Sequence, residues 1–309
     1  MRGKMTTHGD VLKRAGIQVI RLDVRLPSED DGLSLKRVEE LTRCGLKVMA
    51  IAKSDCFAPY RHATWEVGWR EYVERLVRKF HPHVSFWQVE NELNHPYHNR
   101  RASRRADVRE KLLKEGCGAV KQANRQAETI VNLYWHLGRE EYLRQLTSLR
   151  NAGCPIDILG IDVYRGPWAF GDPSDYPDDI DRARLVWHGP ILISETGYAA
   201  WRPWKTEAGQ VRYFDRLFGA VHRGFLQSRP WFLGTIVYVY GCTRLSITPE
   251  RRFGLLRRDG TERPVWRKIV QEARHMANER LFGVTSHVNE FDDTGICPPR
   301  NRRISWNRN

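Results

Sequence analysis

The sequence predicts an α/β fold and, within that class, a (β/α)8 TIM barrel. Short runs of β-branched and other apolar residues alternate with helix-length amphipathic segments, which is typical of repeated βα units around a parallel sheet. The number of such units, seven or eight, fits a barrel better than a doubly wound sheet. A doubly wound dinucleotide-binding sheet is also disfavoured because no Gly-x-Gly-x-x-Gly pattern follows any strand-like run.

The predicted strands are short and largely apolar, as expected for strands that are buried on both faces. In chain order they cover residues 18–24, 47–52, 84–92, 129–134, 156–164, 190–195 and 233–240. Apolar residues recur at helical spacing in the segments between them, which include residues 65–80, 139–152, 207–223 and 263–276. Glycine precedes several strands, where it can end the preceding helix in the left-handed conformation.

One strand is missing from this series at the N-terminal end. A short helical segment, residues 10–15, leads directly into the strand at 18–24, and no strand precedes it. After the last helix, residues 280–291 look like a barrel's first strand. This segment closes the barrel as a permuted first strand, or it is a tail, the start of a second copy or a frayed extension. We therefore divide the chain into a barrel domain, residues 1–276, and a C-terminal extension, residues 277–309.

Composition excludes several classes of protein. With 309 residues, 41% of them hydrophobic, the chain can bury a sizeable core, which argues against a disordered or fibrous protein. No stretch approaches the roughly 18 apolar residues that span a bilayer, and the first residues lack the apolar run of a secretory signal. We therefore expect a soluble, cytoplasmic protein without a membrane partner, provided that the N-terminus is not truncated.

The net charge of +14 raises the question of nucleic acid as a partner. The basic residues are spread along helical segments, with local clusters at residues 100–105 and 300–303, and no nucleic-acid-binding motif accompanies them. We interpret them as a solvated surface with basic loops and do not expect a nucleic-acid partner.

Polar residues stand at the C-terminal ends of the predicted strands, where barrels of this type build their active sites. The most informative are Glu92 and Glu195, which end two apolar runs three units apart. On opposite sides of a closed ring their carboxylates would face each other, and a separation of about 5–5.5 Å would suit a retaining glycosidase. Arg21 and Tyr164 are candidates to hold Glu195, by an ion pair and a phenolic hydrogen bond. A single glutamate of this kind is more often structural, but two favour catalysis.

These residues resemble the two signatures of glycoside hydrolase clan A, whose members are retaining (β/α)8-barrel glycosidases. Asn91 and Glu92 are similar to the pair that ends the fourth strand, and the Ser-Glu-Thr-Gly sequence around Glu195 is similar to the end of the seventh. The resemblance implies that Glu92 is the acid/base, that Glu195 is the nucleophile and that Asn91 binds the sugar 2-hydroxyl. It also implies that Tyr164 hydrogen-bonds the nucleophile and that Arg21 belongs to the site.

Other polar and aromatic residues near the strand ends are candidates for substrate contacts. Three loop tryptophans follow strand ends, where rings can stack on sugars, although loop tryptophans more often pack against their own loop. The clan's eighth-strand tryptophan is absent, so a tyrosine near that position, Tyr238 or Tyr240, or a loop tryptophan would replace it. The predicted substrate-binding candidates beyond those above are Asn132, Trp168, Trp201, Trp204 and Tyr240.

Four further residues near the strand ends have open roles. Alternation along the strand puts Glu90 on the same face as Glu92 but deeper, as a supporting group or a structural ion pair. Asp162 shares a face with Tyr164 and is either structural or part of the site. His95 and His98 could line the mouth of the barrel, and their spacing is only a weak signal for a metal.

The sequence therefore predicts a retaining glycoside hydrolase that cleaves β-linked sugars by double displacement. Its partner would be an oligosaccharide or polysaccharide, and no metal or organic cofactor is implied. An alternative is a catalytically impaired barrel that binds carbohydrate without turnover. A third hypothesis, non-specific binding of nucleic acid by the basic surface, would show a steep dependence on salt concentration.

Overall fold

In the residues that it describes, the computed structural model of the protein has eight parallel β-strands. It describes residues 8–30, 32–54, 65–95, 106–135, 139–166, 171–201, 203–223, 225–241, 252–276 and 282–287. The strands are β1 (Val19–Asp23), β2 (Lys47–Ala52), β3 (Val84–Val89), β4 (Glu128–Tyr134), β5 (Ile158–Asp162), β6 (Ile191–Thr196), β7 (Phe232–Val237) and β8 (Phe282–His287).

Helices lie between the strands in the alternating order that the sequence predicts. They are α1 (His8–Arg14), α2 (Pro27–Asp30), α3 (Leu33–Arg43), α4 (Trp65–Phe80), α5 (Ala106–Ala123), α6 (Arg139–Asn151), α7 (Tyr176–Arg184), α8 (Glu207–Val221), α9 (Phe225–Ser228) and α10 (Pro264–Met276), with a 3-10 turn at Pro173–Asp175. None of these helices, within the part of the chain that the structure describes, combines the length and apolar character that a bilayer-spanning segment needs.

The strands form a closed barrel in the order β1 to β8, which confirms the predicted fold class. Strand β8 lies between the last and the first strands of the series: Ser286 is paired with Val237 of β7 on one side and with Ile20 of β1 on the other. The C-terminal segment thus occupies the position of a barrel's first strand. The boundary proposed at residue 276 falls between the last helix and this strand.

The inside of the barrel is apolar at its lower end, near the N-terminal ends of the strands. One inward-facing residue from each of seven strands contributes to this layer, as expected from the two-residue period of a β-strand. The layer consists of Val19, Met49, Phe86, Ile130, Ile158, Leu192 and Ile236. All but Phe86 are fully buried, so the lower end of the barrel is a packed core and not a pore.

A polar layer lies directly above this apolar one, toward the C-terminal ends of the strands. On β1, β3, β4 and β6 its residues lie two positions after those of the apolar layer, and on β5 the residue lies four positions after. Its members are Arg21, Gln88, Asn132, Ser194 and Asp162. At most 2% of each of these residues is exposed, so hydrogen bonds within the layer have to replace water.

Gly160 makes room for the polar layer. It occupies the inward-facing position of β5 between Ile158 and Asp162. A Cβ atom at this position would lie 2.5 Å from Ser194 Oγ and 2.9 Å from Asn132 Cβ. Only glycine therefore lets these two side chains approach each other above the apolar layer.

Two predicted strands extend three residues too far, and the reason is the backbone at their C-terminal ends. The strand predicted over 84–92 ends at Val89, and both Glu90 and Glu92 have positive φ, 62° and 45°. The strand predicted over 233–240 ends at Val237. Polar residues follow Val89 and apolar residues follow Val237, but the strand continues past neither point.

Removing β8 is expected to open the barrel. A chain ending after residue 276 exposes the edges of β1 and β7 that β8 pairs with, and unpaired edges lose hydrogen bonds and invite aggregation. We expect the free energy of unfolding to fall by about 4 kcal/mol or more, which lowers the melting temperature by roughly 10 °C. The matched control is a chain ending after residue 287, which retains β8. Equal melting temperatures for the two truncated proteins would contradict the placement of β8.

Replacing Gly160 with alanine is expected to destabilise the protein by about 1–3 kcal/mol, because Ser194 or Asn132 has to move. The matched control is Gly118→Ala in α5, where an added Cβ has no atom within 4 Å. That change should raise stability by about 0.5–1 kcal/mol, the usual gain for glycine to alanine inside a helix. Urea unfolding of both variants measures the difference, and equal effects would show that space at Gly160 is not limiting.

Candidate active site

The strand ends bring most of the predicted site residues together at one mouth of the barrel. Arg21 comes from β1 and Glu195 from β6, while Tyr164 follows β5 by two residues. Asn91 and Glu92 follow β3 in a tight turn. All five are connected by hydrogen bonds or by close carboxylate contacts, as described below.

The turn after β3 points the two glutamates in different directions. Glu90 turns toward β2, where its Oε1 accepts a hydrogen bond of 2.9 Å from the backbone N–H of Ser54. The backbone N–H of Glu92 donates to Asn132 Oδ1 at 3.2 Å. The alternation argument that placed Glu90 directly below Glu92 therefore fails, because the positive φ values of both residues break the strand period.

Arg21 is the centre of the polar layer. Its Nε donates to Gln88 Oε1 at 2.6 Å and its Nη1 to Glu195 Oε2 at 2.7 Å, while its Nη2 donates to Asn91 Oδ1. Burial alone would lower its pKa, but the charges of Glu195 and Asp162 outweigh that effect and raise the pKa. Arg21 is therefore a permanent buried cation whose donors fix three other side chains.

Glu195 is held by charged and neutral donors. Arg21 bonds one carboxylate oxygen, and the hydroxyl group of Tyr164 donates to the other, Oε1. Burial raises the pKa of Tyr164 well above its usual value, followed by the charge of Glu195, so the phenol stays protonated and remains a donor. Only 11% of the Glu195 side chain is exposed, and both oxygens have a partner. This environment favours the ionised carboxylate.

Glu92 lies in an environment of the opposite kind. It is 3% exposed, and burial, then the charges of Asp162 and Glu195, raise its pKa well above that of an ordinary glutamate. One carboxylate oxygen from each of these three acids lies within 4.8 Å of one from each of the others. The two predicted catalytic glutamates thus have contrasting environments: that of Glu92 favours the protonated form, and that of Glu195 offers two donors to a carboxylate.

The three carboxylates are close enough to share a cation, but their partners fit a different use. The Arg21 guanidinium already supplies a positive charge to Glu195. Asp162 accepts hydrogen bonds from Ser194 and Asn132, one on each of its oxygens. A cation bound between the carboxylates would compete with these donors, so the donor set fits proton sharing better than metal binding.

An aromatic wall stands beside Glu195. Tyr164 and Tyr238 both pack edge-on against Phe253, with ring centroids 5.6 Å and 5.5 Å apart, and Trp201 packs partly against the same cluster. The peptide bond between Tyr238 and Val239 is cis. Because its ring packs against Phe253 in the same cluster as Tyr164, Tyr238 lies at the site. The sequence predicts Tyr238 as an alternative to Tyr240.

Tyr240 lies elsewhere. It is 3% exposed and packs against Trp266 of α10 with ring centroids 5.3 Å apart, in the core between barrel and helices. The structure therefore does not bring Tyr240 together with the other site candidates. The physical reason is that β7 ends at Val237, so the inward alternation that would have carried Tyr240 into the mouth stops first.

The remaining predicted residues have different placements. Asn132 is 2% exposed and uses its amide within the protein: Nδ2 donates to Asn91 Oδ1 at 2.9 Å and to Asp162. Trp204 has 68% of its surface exposed. Trp168 and His98 lie outside the described residues. His95 packs edge-on against Tyr134, with ring centroids 4.1 Å apart.

Sequence reasoning overlooked several supporting residues. Gln88 and Ser194 are polar residues inside apolar runs, and that signal could have identified them as part of an inward-facing polar layer. Phe253 comes from a segment without any strand or helix signal. Gly197 ends the Ser-Glu-Thr-Gly motif because a Cβ there would lie 2.3 Å from the carbonyl oxygen of Tyr238. The motif glycine thus lets the backbone just after β7 pass close to the segment that carries Glu195.

Comparison with known proteins is informative at the level of structure. No protein-family model matches the sequence, and no curated protein matches it. Among solved structures, the Ignisphaera aggregans GH53 catalytic domain is similar, with 18% identity, a TM-score of 0.67 and coverage of 87% of this chain and 88% of that one.

Two further structures show the same similarity. The β-glucosidase from Thermotoga maritima has 11% identity and a TM-score of 0.67, with 86% of this chain and 85% of that one covered. A family 39 glycoside hydrolase from Bacteroides cellulosilyticus WH2 has 15% identity and a TM-score of 0.66, with 87% and 61% covered. At such low identities the similarity establishes the fold alone, a barrel like those of these three structures.

Proposed function

We propose that the protein is a retaining glycoside hydrolase in which Glu195 is the nucleophile and Glu92 is the acid/base. The observation that supports this most directly is the short separation of the two carboxylates, whose nearest oxygens lie within 4.8 Å. Retaining glycosidases hold their carboxyl groups about 5–5.5 Å apart, whereas inverting enzymes leave about 6.5–9.5 Å for a water molecule. A separation within 4.8 Å lies on the retaining side of this range.

In the first step, Glu195 attacks the anomeric carbon of the sugar while Glu92 gives its proton to the oxygen of the departing group. The bond between anomeric carbon and glycosidic oxygen breaks, and an ester bond to Glu195 forms. Arg21 and Tyr164 hold the attacking carboxylate in one orientation through their hydrogen bonds to its two oxygens. The raised pKa of Glu92 supplies the proton at neutral pH.

In the second step, Glu92 is a carboxylate and removes a proton from water, whose oxygen attacks the anomeric carbon and releases Glu195. Asn91 is held beside both glutamates because its Oδ1 accepts hydrogen bonds from Arg21, Gln88 and Asn132. These three donors fix the amide plane, which supports its proposed role of binding the sugar 2-hydroxyl.

We propose a β-linked oligosaccharide or polysaccharide as the substrate. The name of the Thermotoga maritima neighbour, a β-glucosidase, supports a β linkage, and the aromatic wall beside Glu195 supplies apolar ring faces for a sugar. Trp201 and the exposed Trp204 follow β6 and are our candidates for stacking on further sugar units.

The alternative is a barrel that binds carbohydrate without turnover. One observation favours it: Tyr238, which lies where the clan has a tryptophan, is 8% exposed and packs against Phe253. Such a protein would bind oligosaccharides yet form no product on long incubation, so turnover by the wild-type protein distinguishes the two functions.

Replacing Glu195 with glutamine is expected to lower kcat on an aryl β-glycoside by about 10³-fold or more, because an amide cannot form the ester intermediate. Arg21 keeps its hydrogen bonds to Gln88 and Asn91, so the fold should remain intact. The matched control is Glu66→Gln, which removes a glutamate of α4 that pairs with Lys111 at the surface. Full activity of the Glu195 variant, measured by release of the phenol, would refute the assignment.

Replacing Glu92 with glutamine is expected to affect substrates unequally. Substrates whose leaving group is an acidic phenol need little protonation and should still form the ester with Glu195, giving a burst of phenol. Substrates with a poor leaving group should react about 10²–10⁴-fold more slowly, the usual contribution of a general acid. An equal loss on both kinds of substrate, measured by stopped-flow absorbance, would contradict the role of Glu92.

A further inference from the structure

A third acid, Asp162, lies between the two proposed catalytic glutamates. We propose that Asp162 is a positioning residue for the acid/base: its carboxylate accepts a hydrogen bond from the protonated carboxyl group of Glu92 and keeps the proton there until the leaving group takes it. This inference rests on the proposed function for its kinetic consequences. The contact itself is a property of the protein without substrate.

Asp162 is fully buried at the end of β5, and neutral groups bond both of its oxygens. Asn132 Nδ2 donates to Oδ2 at 2.6 Å, and Ser194 Oγ donates to Oδ1 at 2.5 Å. Both side chains reach it because Gly160 leaves the space between them. Hydrogen bonds on both oxygens orient the carboxylate as an acceptor.

Glu92 supplies a further hydrogen bond to this acceptor. One carboxylate oxygen of Glu92 lies within 4.8 Å of one of Asp162, and a hydrogen bond with Asp162 contributes to the raised pKa of Glu92. Two carboxyl groups can share such a bond only if one of them carries a proton. Asp162 already accepts from two donors, so a third donor fits it better than a proton of its own. The proton therefore belongs on Glu92, which is where the first step of the reaction needs it.

The charges around Asp162 support this arrangement. Its pKa is raised to about 7, by burial first and then by the charge of Glu195, while Arg21, Ser194 and Asn132 act in the opposite direction. The titratable and charged groups that face it come from β1, from the turn after β3, from α6 and from the end of β6. They are Arg21, Glu92, Tyr142 and Glu195.

The sign of the pH effect follows from these charges. Above about pH 7 Asp162 is ionised, and its charge helps to hold the pKa of Glu92 well above the usual range. An uncharged residue at position 162 removes that contribution, so Glu92 loses its proton at a lower pH. Well below pH 7 Asp162 is itself neutral. The effect of its charge therefore appears only on the alkaline side.

The kinetic test is Asp162→Asn, measured as kcat/KM against pH on a substrate with a poor leaving group. We expect the alkaline limb to move down by about one pH unit or more, with the two profiles approaching each other on the acidic side. A substrate with an acidic phenol should show a much smaller change. The matched control is Glu272→Gln, a buried carboxylate of α10 that pairs with His222, and it should leave the alkaline limb in place. A loss that is uniform over pH and leaving group would overturn the proposal.

A second measurement needs no turnover and so separates this proposal from the proposed function. Infrared difference spectra across a pH titration report the carbonyl band of a protonated carboxyl group. The wild-type protein should show such a band at alkaline pH, and the band should be absent in Glu92→Gln. In Asp162→Asn it should disappear at a lower pH. In Glu92→Gln the titration of Asp162 should move up, because its carboxylate loses the carboxyl donor and gains at most a weaker amide donor.

A band that persists in Asp162→Asn at unchanged pH would overturn the role of Asp162 whether or not the protein hydrolyses glycosides. Conversely, the expected spectra together with no turnover on any β-glycoside would reject the proposed function and retain the hydrogen bond. If Asp162→Asn does not fold, the Glu92→Gln spectra test the proposal instead. An unchanged titration of Asp162 in that variant would contradict the hydrogen bond between the two carboxyl groups.

Discussion

The balance of charge inside the upper end of the barrel is the constraint on which the site depends. Three carboxylates, those of Glu92, Asp162 and Glu195, lie within 4.8 Å of one another, and Arg21 adds one buried guanidinium. Three negative charges and one positive charge cannot be buried together without a large desolvation cost, so the cluster retains protons at neutral pH. Arg21 and Tyr164 donate to Glu195, and the proton therefore remains among the other two acids.

Closure of the barrel sets the distances within this cluster. Arg21 is on β1 and Glu195 is on β6, so β7 and β8 separate them around the ring. Their side chains meet at 2.7 Å across the interior, which requires the ring to be complete on that side. The position of a strand in the ring therefore matters to the site, and its position in the chain does not. Strand β8 comes last in sequence but provides the neighbour that holds β1 in place.

The strands and the polar residues on them could be predicted from the sequence because buried parallel strands have a simple pattern. Against an apolar run, a charged or amide side chain such as Arg21, Asn132 or Glu195 stands out, and the two-residue period places it inside the barrel. The same pattern failed where the backbone leaves the strand. Positive φ at Glu90 and Glu92 turns these side chains in different directions, and no periodicity in the sequence signals that turn.

Aromatic residues near the site were harder to place, and this difference has a physical origin. The acids and their donors are mostly fixed by strands, whose register leaves each side chain one direction. The aromatic wall depends on Tyr238, which follows the end of β7, and on Phe253, which lies between β7 and α10 in the chain. Loop conformation is set by contacts distant in sequence, such as the close passage of Gly197 beside the Tyr238 carbonyl. The acids and their donors thus lie mostly at the strands, whereas the aromatic residues beside them lie beyond the strand ends.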